Sequence, residues 1–452
     1  MKRWITGLLL VLLACVPIFL SRSSSPSLLA DTDTAYLLLK IRERQDPLSW
    51  FAGDWPLGNH FYRPVSTLSF EIDNGLYATN AAGYGLTNAL LAIACVLLLF
   101  WFLRELTDNL AVTTLSSLLF AYWHWGSIWP LQVAAEWLTV MLILIGLWRH
   151  GLRLRRWLPG VFVLIFLTGE LGGKGDLYRG VISWLPGRTA SVMAVFVLLS
   201  VASYARYERL SAEKLKREPT PLDPPATKGT QAMQAPARHS WLWAVLSVLA
   251  LLAALGSYEQ AVMAPALLLG TAVTLRLFGY RVRWAWQVPF WGALVLYLVL
   301  RHQLVPGDAS SYQLQALRSG NGMWLDLANY FFPGLALTTL VWSTLTTGPL
   351  LFLVAEPWLL WAKFVSSFVT AWEARRRWKL VLSGWALSFL AFMPMAWLQR
   401  FEHYHYLPMA LRAFFVVAIG WVALDWLVIA ASRPELQAPS RPSPAPGSLP
   451  RP

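Results

Sequence analysis

The residues that could do chemistry in this chain are few, and they sit in short polar islands between long apolar runs. The first island, 22–84, holds Asp31 and Asp33, then His60-Phe61-Tyr62-Arg63-Pro64, then Glu71 and Asp73. Carboxylates two residues apart in an extended segment face one way, so Asp31 and Asp33 could share a divalent cation or a single proton. Either could instead be a general base that takes the proton from an acceptor hydroxyl. Capping a following helix is the plainer use of Asp31, Thr32 or Asp33. The planar fork of Arg63 suits a phosphate, although an Arg so placed also reaches lipid headgroups. Later islands hold Arg188, Glu259 and the run Glu402-His403-Tyr404-His405-Tyr406. Glu259 is either a polar pin between helices or a site acid. His403 and His405 could face an anionic leaving group, or the run could be an aromatic anchor at the membrane interface. Ionisable groups held beside a bilayer cost free energy, which is why these islands are candidate sites. No Gly-rich phosphate loop and no nucleophile elbow occurs.

The elements that must position these side chains are helices. Of 452 residues 56% are hydrophobic and 13% charged, roughly half the charged share of a soluble domain. Apolar runs of bilayer-crossing length recur along the chain, which predicts an all-α polytopic membrane protein. The net charge of +13 does not point to nucleic acid, because the basic residues cluster in short loops such as 149–156 and 375–377. That is the positive-inside pattern and not a water-facing stripe. Cys15 and Cys95 both lie in apolar runs and offer neither a zinc pair nor a disulfide framework.

Counting apolar runs against the basic loops predicts about twelve crossings with both termini cytoplasmic. The expected spans fall near 4–20, 86–103, 111–122, 130–147, 157–167, 190–205, 242–255, 262–277, 284–300, 350–369, 380–398 and 410–431. A re-entrant or interfacial pair broken at Pro333-Gly334 reconciles the count with the charges. Two short helices, 34–44 and 65–77, should lie along the interface, the first with Tyr36, Leu37, Leu38 and Ile41 on its apolar face. An N-terminal transmembrane half, 1–205, contains the outer loop 22–84. The Pro-rich stretch 206–239 reads as a disordered cytoplasmic linker, 240–431 as a C-terminal transmembrane half, and 432–452 as a disordered cytoplasmic tail. This topology gathers the polar islands on the outer face, among membrane lipids.

At those islands the chain resembles the GT-C superfamily of glycosyltransferases, and within it the bacterial relatives of protein O-mannosyltransferases (glycosyltransferase family 39-like). The clearest stretch is His60-Phe61-Tyr62-Arg63-Pro64-Val65-Ser66-Thr67-Leu68-Ser69-Phe70-Glu71-Ile72-Asp73, followed by Gly83-Tyr84 and Thr87-Asn88. Asp33-Thr34-Ala35-Tyr36-Leu37-Leu38 matches the family's first-loop acidic motif, with Thr34 where a second acid is usual. Ile182-Ser183-Trp184-Leu185-Pro186-Gly187-Arg188 and Ser257-Tyr258-Glu259-Gln260 match further motifs, Tyr258 standing where relatives often carry Lys. Glu402-His403-Tyr404-His405-Tyr406-Leu407-Pro408 resembles the family's late turn, with His403 replacing an Arg. The resemblance implies a GT-C-like bundle in a bacterial inner membrane, its active site facing the periplasm. It implies a polyprenyl-phosphate sugar donor and a protein, lipid or glycan acceptor. Transfer would be a single displacement with inversion, with Asp33 or Asp31 as base. His60, Arg63, Arg188, Glu259, Glu402, His403 and His405 would bind substrate. A transporter or flippase is the competing class, since two halves joined by a cytoplasmic linker also describe a carrier. A carrier would bury its charges near the midplane and show related halves.

Overall fold

The structure, a computed structural model, describes residues 2–44, 46–125, 177–217, 240–308, 310–317, 324, 378–398 and 401–432. Its helices are α1 (Lys2–Leu20), α2 (Ser27–Ala30), α3 (Thr32–Arg44), α4 (Pro64–Tyr77), α5 (Ala81–Thr107), α6 (Leu110–Tyr122), α7 (Arg188–Arg217), α8 (Ser240–Leu255), α9 (Ala264–Leu277), α10 (Gln287–Leu304), α11 (Ser311–Ala316), α12 (Trp378–Phe392) and α13 (Tyr406–Ser432). Among the described residues the only β pairing is an isolated bridge between Leu317 and Leu398. Local chemistry sets the helix ends. Pro64 opens α4 at the position where its fixed φ fits and its missing N–H goes unused. The side chains of Asn80 and Asn109 accept from Ala82 N and Val112 N at the starts of α5 and α6. Asp108, left-handed at φ 52°, ends α5.

Six helical segments among the described residues are long and apolar enough to cross a membrane: Arg3–Leu20, Ala81–Thr107, Arg188–Ala212, Glu259–Leu277, Trp378–Trp397 and Glu402–Val422. The expected bundle of about twelve crossings is therefore corrected to six candidates. Helix length is one reason. α6 and α8 have 13 and 16 residues, or about 20 and 24 Å at 1.5 Å per residue, against a hydrocarbon core of about 30 Å. The second reason is polarity, since α10 carries Gln287, Arg301, His302 and Gln303 within its 18 residues. The expected spans at 130–147, 157–167 and 350–369 and the break at Pro333-Gly334 lie outside the described residues. So do the basic clusters 149–156 and 375–377, the stretch 218–239 and the tail 433–452. Residues 206–217, expected as the start of a linker, are helical, because α7 runs on to Arg217. Its continuation is held by side-chain pairing, with Arg206 and Arg209 near Glu105 and the Glu208 carboxylate accepting from Arg283 N–H.

The bundle's outer surface carries large apolar side chains, including Leu9, Leu13 and Leu20 on α1, Trp241 and Leu249 on α8, and Val288, Val295 and Leu296 on α10. Apolar surface of that extent on helices of bilayer-crossing length suits contact with lipid. The chain is a polytopic all-α membrane protein.

Contacts between helix ends separate two ends of the bundle, with α5 and α7 running the same way between them. At one, the Arg104 guanidinium lies 5.3 Å from the Trp4 ring, and Arg209 donates to the Arg104 carbonyl and sits 3.6 Å from Asp108. At that same end Arg283 donates to the Tyr207 hydroxyl, and Lys379 donates to the Leu277 carbonyl. The opposite end collects Ser21, Tyr84, Arg188, Gln260, Ala391 and Tyr404, tied by bonds of 3.0–3.2 Å such as Tyr178 OH to Ser21 O and Gln260 Nε2 to Ala391 O and Tyr404 O.

The first loop forms a small core of its own on that second end. Leu37, Leu38 and Ile41 of α3 pack with Trp50, Trp55, Phe70, Tyr84 and Leu185. The buried stripe of α3 is Thr34, Leu37, Leu38 and Ile41, an i, i+3, i+4, i+7 set. Tyr36, expected on that face, is 46% exposed, because at about 100° per residue it falls one position outside the stripe.

Candidate functional site

Four segments far apart in sequence meet at the end of the bundle that carries the first loop. Asp31 lies between α2 and α3, and its Oδ2 accepts from Thr34 N and Thr34 Oγ1, both at 3.4 Å. That is helix capping, and it leaves room for one more partner, the Trp184 indole Nε1–H at 3.3 Å. Trp184 packs its ring 5.1 Å from that of His403. His403 lies 6.2 Å, ring to ring, from Tyr258, and the Arg63 guanidinium sits 4.5 Å from the centre of the Tyr258 ring. Arg63 in turn donates through Nε and Nη2 to Glu259 Oε2 at 2.8 and 2.6 Å. The line Asp31–Trp184–His403–Tyr258–Arg63–Glu259 is thus continuous contact.

The two acids differ in their engagement. The Asp31 carboxylate serves the cap and Trp184, whereas Asp33, in the first turn of α3, makes no hydrogen bond among the described residues. Partial burial, with the Asp31 charge second, pushes the Asp33 carboxyl above the ordinary carboxylate range. A carboxyl of raised pKa without a fixed partner is the better proton acceptor of the two. As a cation site the pair is thin, since among the described residues no three His, Cys, Asp or Glu side chains gather as a metal cluster.

Arg63 is held by aromatic rings, with Phe61 at 4.0 Å and Trp55 at 5.5 Å besides Tyr258. Two of its three donor nitrogens serve Glu259, and Nη1 makes no hydrogen bond among the described residues. The geometry can therefore present one guanidinium edge to an anion while Glu259 keeps the fork from turning. The turn that carries these residues is organised by Asp54, whose carboxylate accepts from Trp55 N, Phe61 N and His60 N at 2.7–3.0 Å. His60 takes φ 63°, and its Nδ1 lies 2.8 Å from the Asp308 carbonyl. Gln313 Nε2 donates to the His60 carbonyl, so His60 joins the first loop to the segment after α10.

Arg188 occupies a different place. It is 0% exposed, pairs with Asp73 at 2.7 Å, and donates to Asn88 Oδ1 at 2.6 Å and to the Tyr84 carbonyl at 3.0 Å. Thr87 Oγ1 donates to the other Asp73 oxygen at 2.8 Å. This buried knot joins α4, α5 and α7 beneath the first loop. Glu402 and His405 flank His403 on the turn Glu402–His405; Glu402 is exposed, and the His405 ring stacks on Phe392 at 5.7 Å.

No protein-family model matches this chain, and neither a curated protein nor a solved structure does. Trp184, which bridges Asp31 to His403, stood in the sequence only as part of a longer motif. Asp54 was not singled out, although an Asp ahead of Gly58 is ordinary turn chemistry. His124 was missed as well. It is fully buried, with Nδ1 2.7 Å from the Phe120 carbonyl and Nε2 2.9 Å from the Tyr406 hydroxyl, and so braces the start of α13. Its only signal was a His inside the aromatic run Tyr122-Trp123-His124-Trp125.

Proposed function

We propose that this protein is an integral-membrane inverting glycosyltransferase, of the GT-C kind that its first-loop motifs resemble, moving a sugar from a polyprenyl-phosphate donor to an acceptor hydroxyl. The observation that carries the reading is the convergence of Asp31, Trp184, His403, Tyr258, Arg63 and Glu259 at one end of an apolar bundle. The basic residues Arg104, Arg209, Arg283 and Lys379 lie at the other end. By the positive-inside pattern this supports a reading with the basic end in the cytoplasm and the site end outside, in the periplasm of a bacterial inner membrane.

In the proposed reaction Asp33 takes the proton of the acceptor hydroxyl, and the oxygen attacks the anomeric carbon from the face opposite the phosphate. The carbon–oxygen bond to the lipid phosphate breaks, its electron pair stays on the phosphate, and the configuration inverts. Nη1 of Arg63, with His403 beside it, holds the departing phosphate. Arg188 acts by position, holding α4 and the first loop against the bundle. A donor with an isoprenoid tail stays in the bilayer, which gives a site at a bundle end its physical reason. The acceptor is a protein, lipid or glycan hydroxyl.

The test is sugar release by purified protein in lipid from a panel of radiolabelled polyprenyl-phosphate sugars, with and without chelator. Turnover that is lost in Asp33→Asn and kept in Lys40→Gln, a surface residue of the same helix paired with Glu43, supports the base. Chelator sensitivity would assign a cation to Asp31 and Asp33. No turnover of any donor, or a fully active Asp33→Asn, would sink the mechanism and favour a transporter or flippase.

A further inference from the structure

Around Arg63, four buried polar atoms lack a hydrogen-bond partner among the described residues: Trp55 Nε1, Glu259 Oε1, Tyr297 OH and Arg301 Nε. They come from the Asp54-organised turn, the turn Glu259–Met263 and α10. Trp55 and Glu259 border Arg63 directly, and Tyr297 and Arg301 lie four residues apart on one face of α10. Glu259 Oε2 binds Arg63 at 2.6 Å, and the Trp55 ring centre is 5.5 Å from its guanidinium carbon. The Tyr297 ring lies 6.1 Å from that of Tyr62, which precedes Arg63 in the chain. Tyr297 is 4% exposed, so water does not reach its hydroxyl freely. A buried donor or acceptor without a partner is costly, and several in one place signal a group that these segments do not themselves supply.

The chemistry of the four atoms narrows that group. Trp55 Nε1 and Arg301 Nε only donate, Glu259 Oε1 only accepts, and the phenol does either. A phosphate only accepts and so gives Glu259 Oε1 no hydrogen-bond donor. An ammonium only donates and would be repelled by Arg63 and Arg301. Hydroxyl groups on one ring do both. Trp55, Tyr62 and Tyr258 add apolar ring surface, which suits the C–H face of a pyranose. We propose that this cluster of polar atoms binds the neutral, hydroxyl-bearing sugar ring of the donor, with Glu259 Oε1 and Tyr297 OH reading one of its hydroxyls. The assignment rests on the transferase reading for which sugar is bound, but the orphaned atoms stand independently of it.

Tyr297→Phe removes a hydroxyl without a partner, so a merely structural phenol predicts unchanged selectivity and equal or greater stability. The experiment measures kcat/KM for a neutral hexose donor and for its deoxy analogues, each lacking one ring hydroxyl, in wild type, Tyr297→Phe and Glu259→Gln. Wild type should reject one analogue by about 100-fold or more. That rejection should fall to about tenfold or less in both variants while the other analogues keep their ratios. Identical ratios in all three proteins would mean that ordered water alone serves the cluster; this overturns the assignment and leaves sugar transfer standing. If wild type turns over no donor, transfer fails instead, and saturation-transfer NMR with free monosaccharides decides the assignment. A neutral-hexose signal lost in Tyr297→Phe supports it, and no signal in wild type overturns it.

Discussion

A carboxyl whose pKa is raised by burial and by a like charge titrates later than a free one, and this sets the pH behaviour expected of Asp33. The base works only when deprotonated, so the acidic limb of turnover should lie above the ordinary carboxylate range and activity should fall as pH drops through it. Asp31→Asn removes the second cause, so the limb should move to lower pH while burial keeps it from returning fully. A pH–rate profile of the two proteins checks this, and a limb that stays put would assign the titration elsewhere. Asp33→Asn itself should cost about 10²–10⁴ in kcat, the usual worth of a general base. The pairing of acids was legible in the sequence as spacing; which acid is free was not. That difference arises because Trp184, 153 positions away, donates to Asp31. No local pattern announces such a bond.

At the scale of elements, the joint between first loop and bundle is built without slack. A Cβ on Gly187 would stand 1.8 Å from the Gly180 carbonyl oxygen, and one on Gly85 would stand 1.8 Å from that of Ser23. Backbone must move in either case, so Gly187→Ala should shift the 178–188 turn, weaken turnover through Trp184, and cost about 1–3 kcal/mol. Thermal unfolding in detergent and turnover should fall together, and a fully active, fully stable variant would refute the tight joint. The knot of Arg188 and Asp73 should be more sensitive. Asp73→Asn leaves a buried guanidinium without its counter-charge and should cost about 3–5 kcal/mol. Replacing both partners with apolar residues of similar volume should restore much of that loss. The short helices at 32–44 and 64–77 were legible from periodicity and from Pro64. The tight approach of Gly85 to Ser23 was not, since it belongs to packing between elements.

For the whole molecule, the separation of a basic end from a site end makes topology measurable. Cys15 and Cys95 are buried, so single cysteines added at exposed positions report sidedness. Glu43→Cys should react with a membrane-impermeant maleimide in intact cells, and Arg281→Cys only after the membrane is opened. The reverse pattern would invert the proposed orientation. What the sequence determined by itself is the class of molecule and the location of its polar islands. Both follow from composition and from the cost of charge in hydrocarbon, which act on each segment alone. Tertiary structure decided the rest. Among the described residues it set six candidate crossings against a predicted dozen, because helix ends depend on caps and neighbouring segments as well as on hydropathy. It placed Arg188 in a buried knot with Asp73 and Asn88, and Arg63 against Glu259. A lone Arg has the same chemistry in either place, and only the partners brought to it by folding fix what surrounds it.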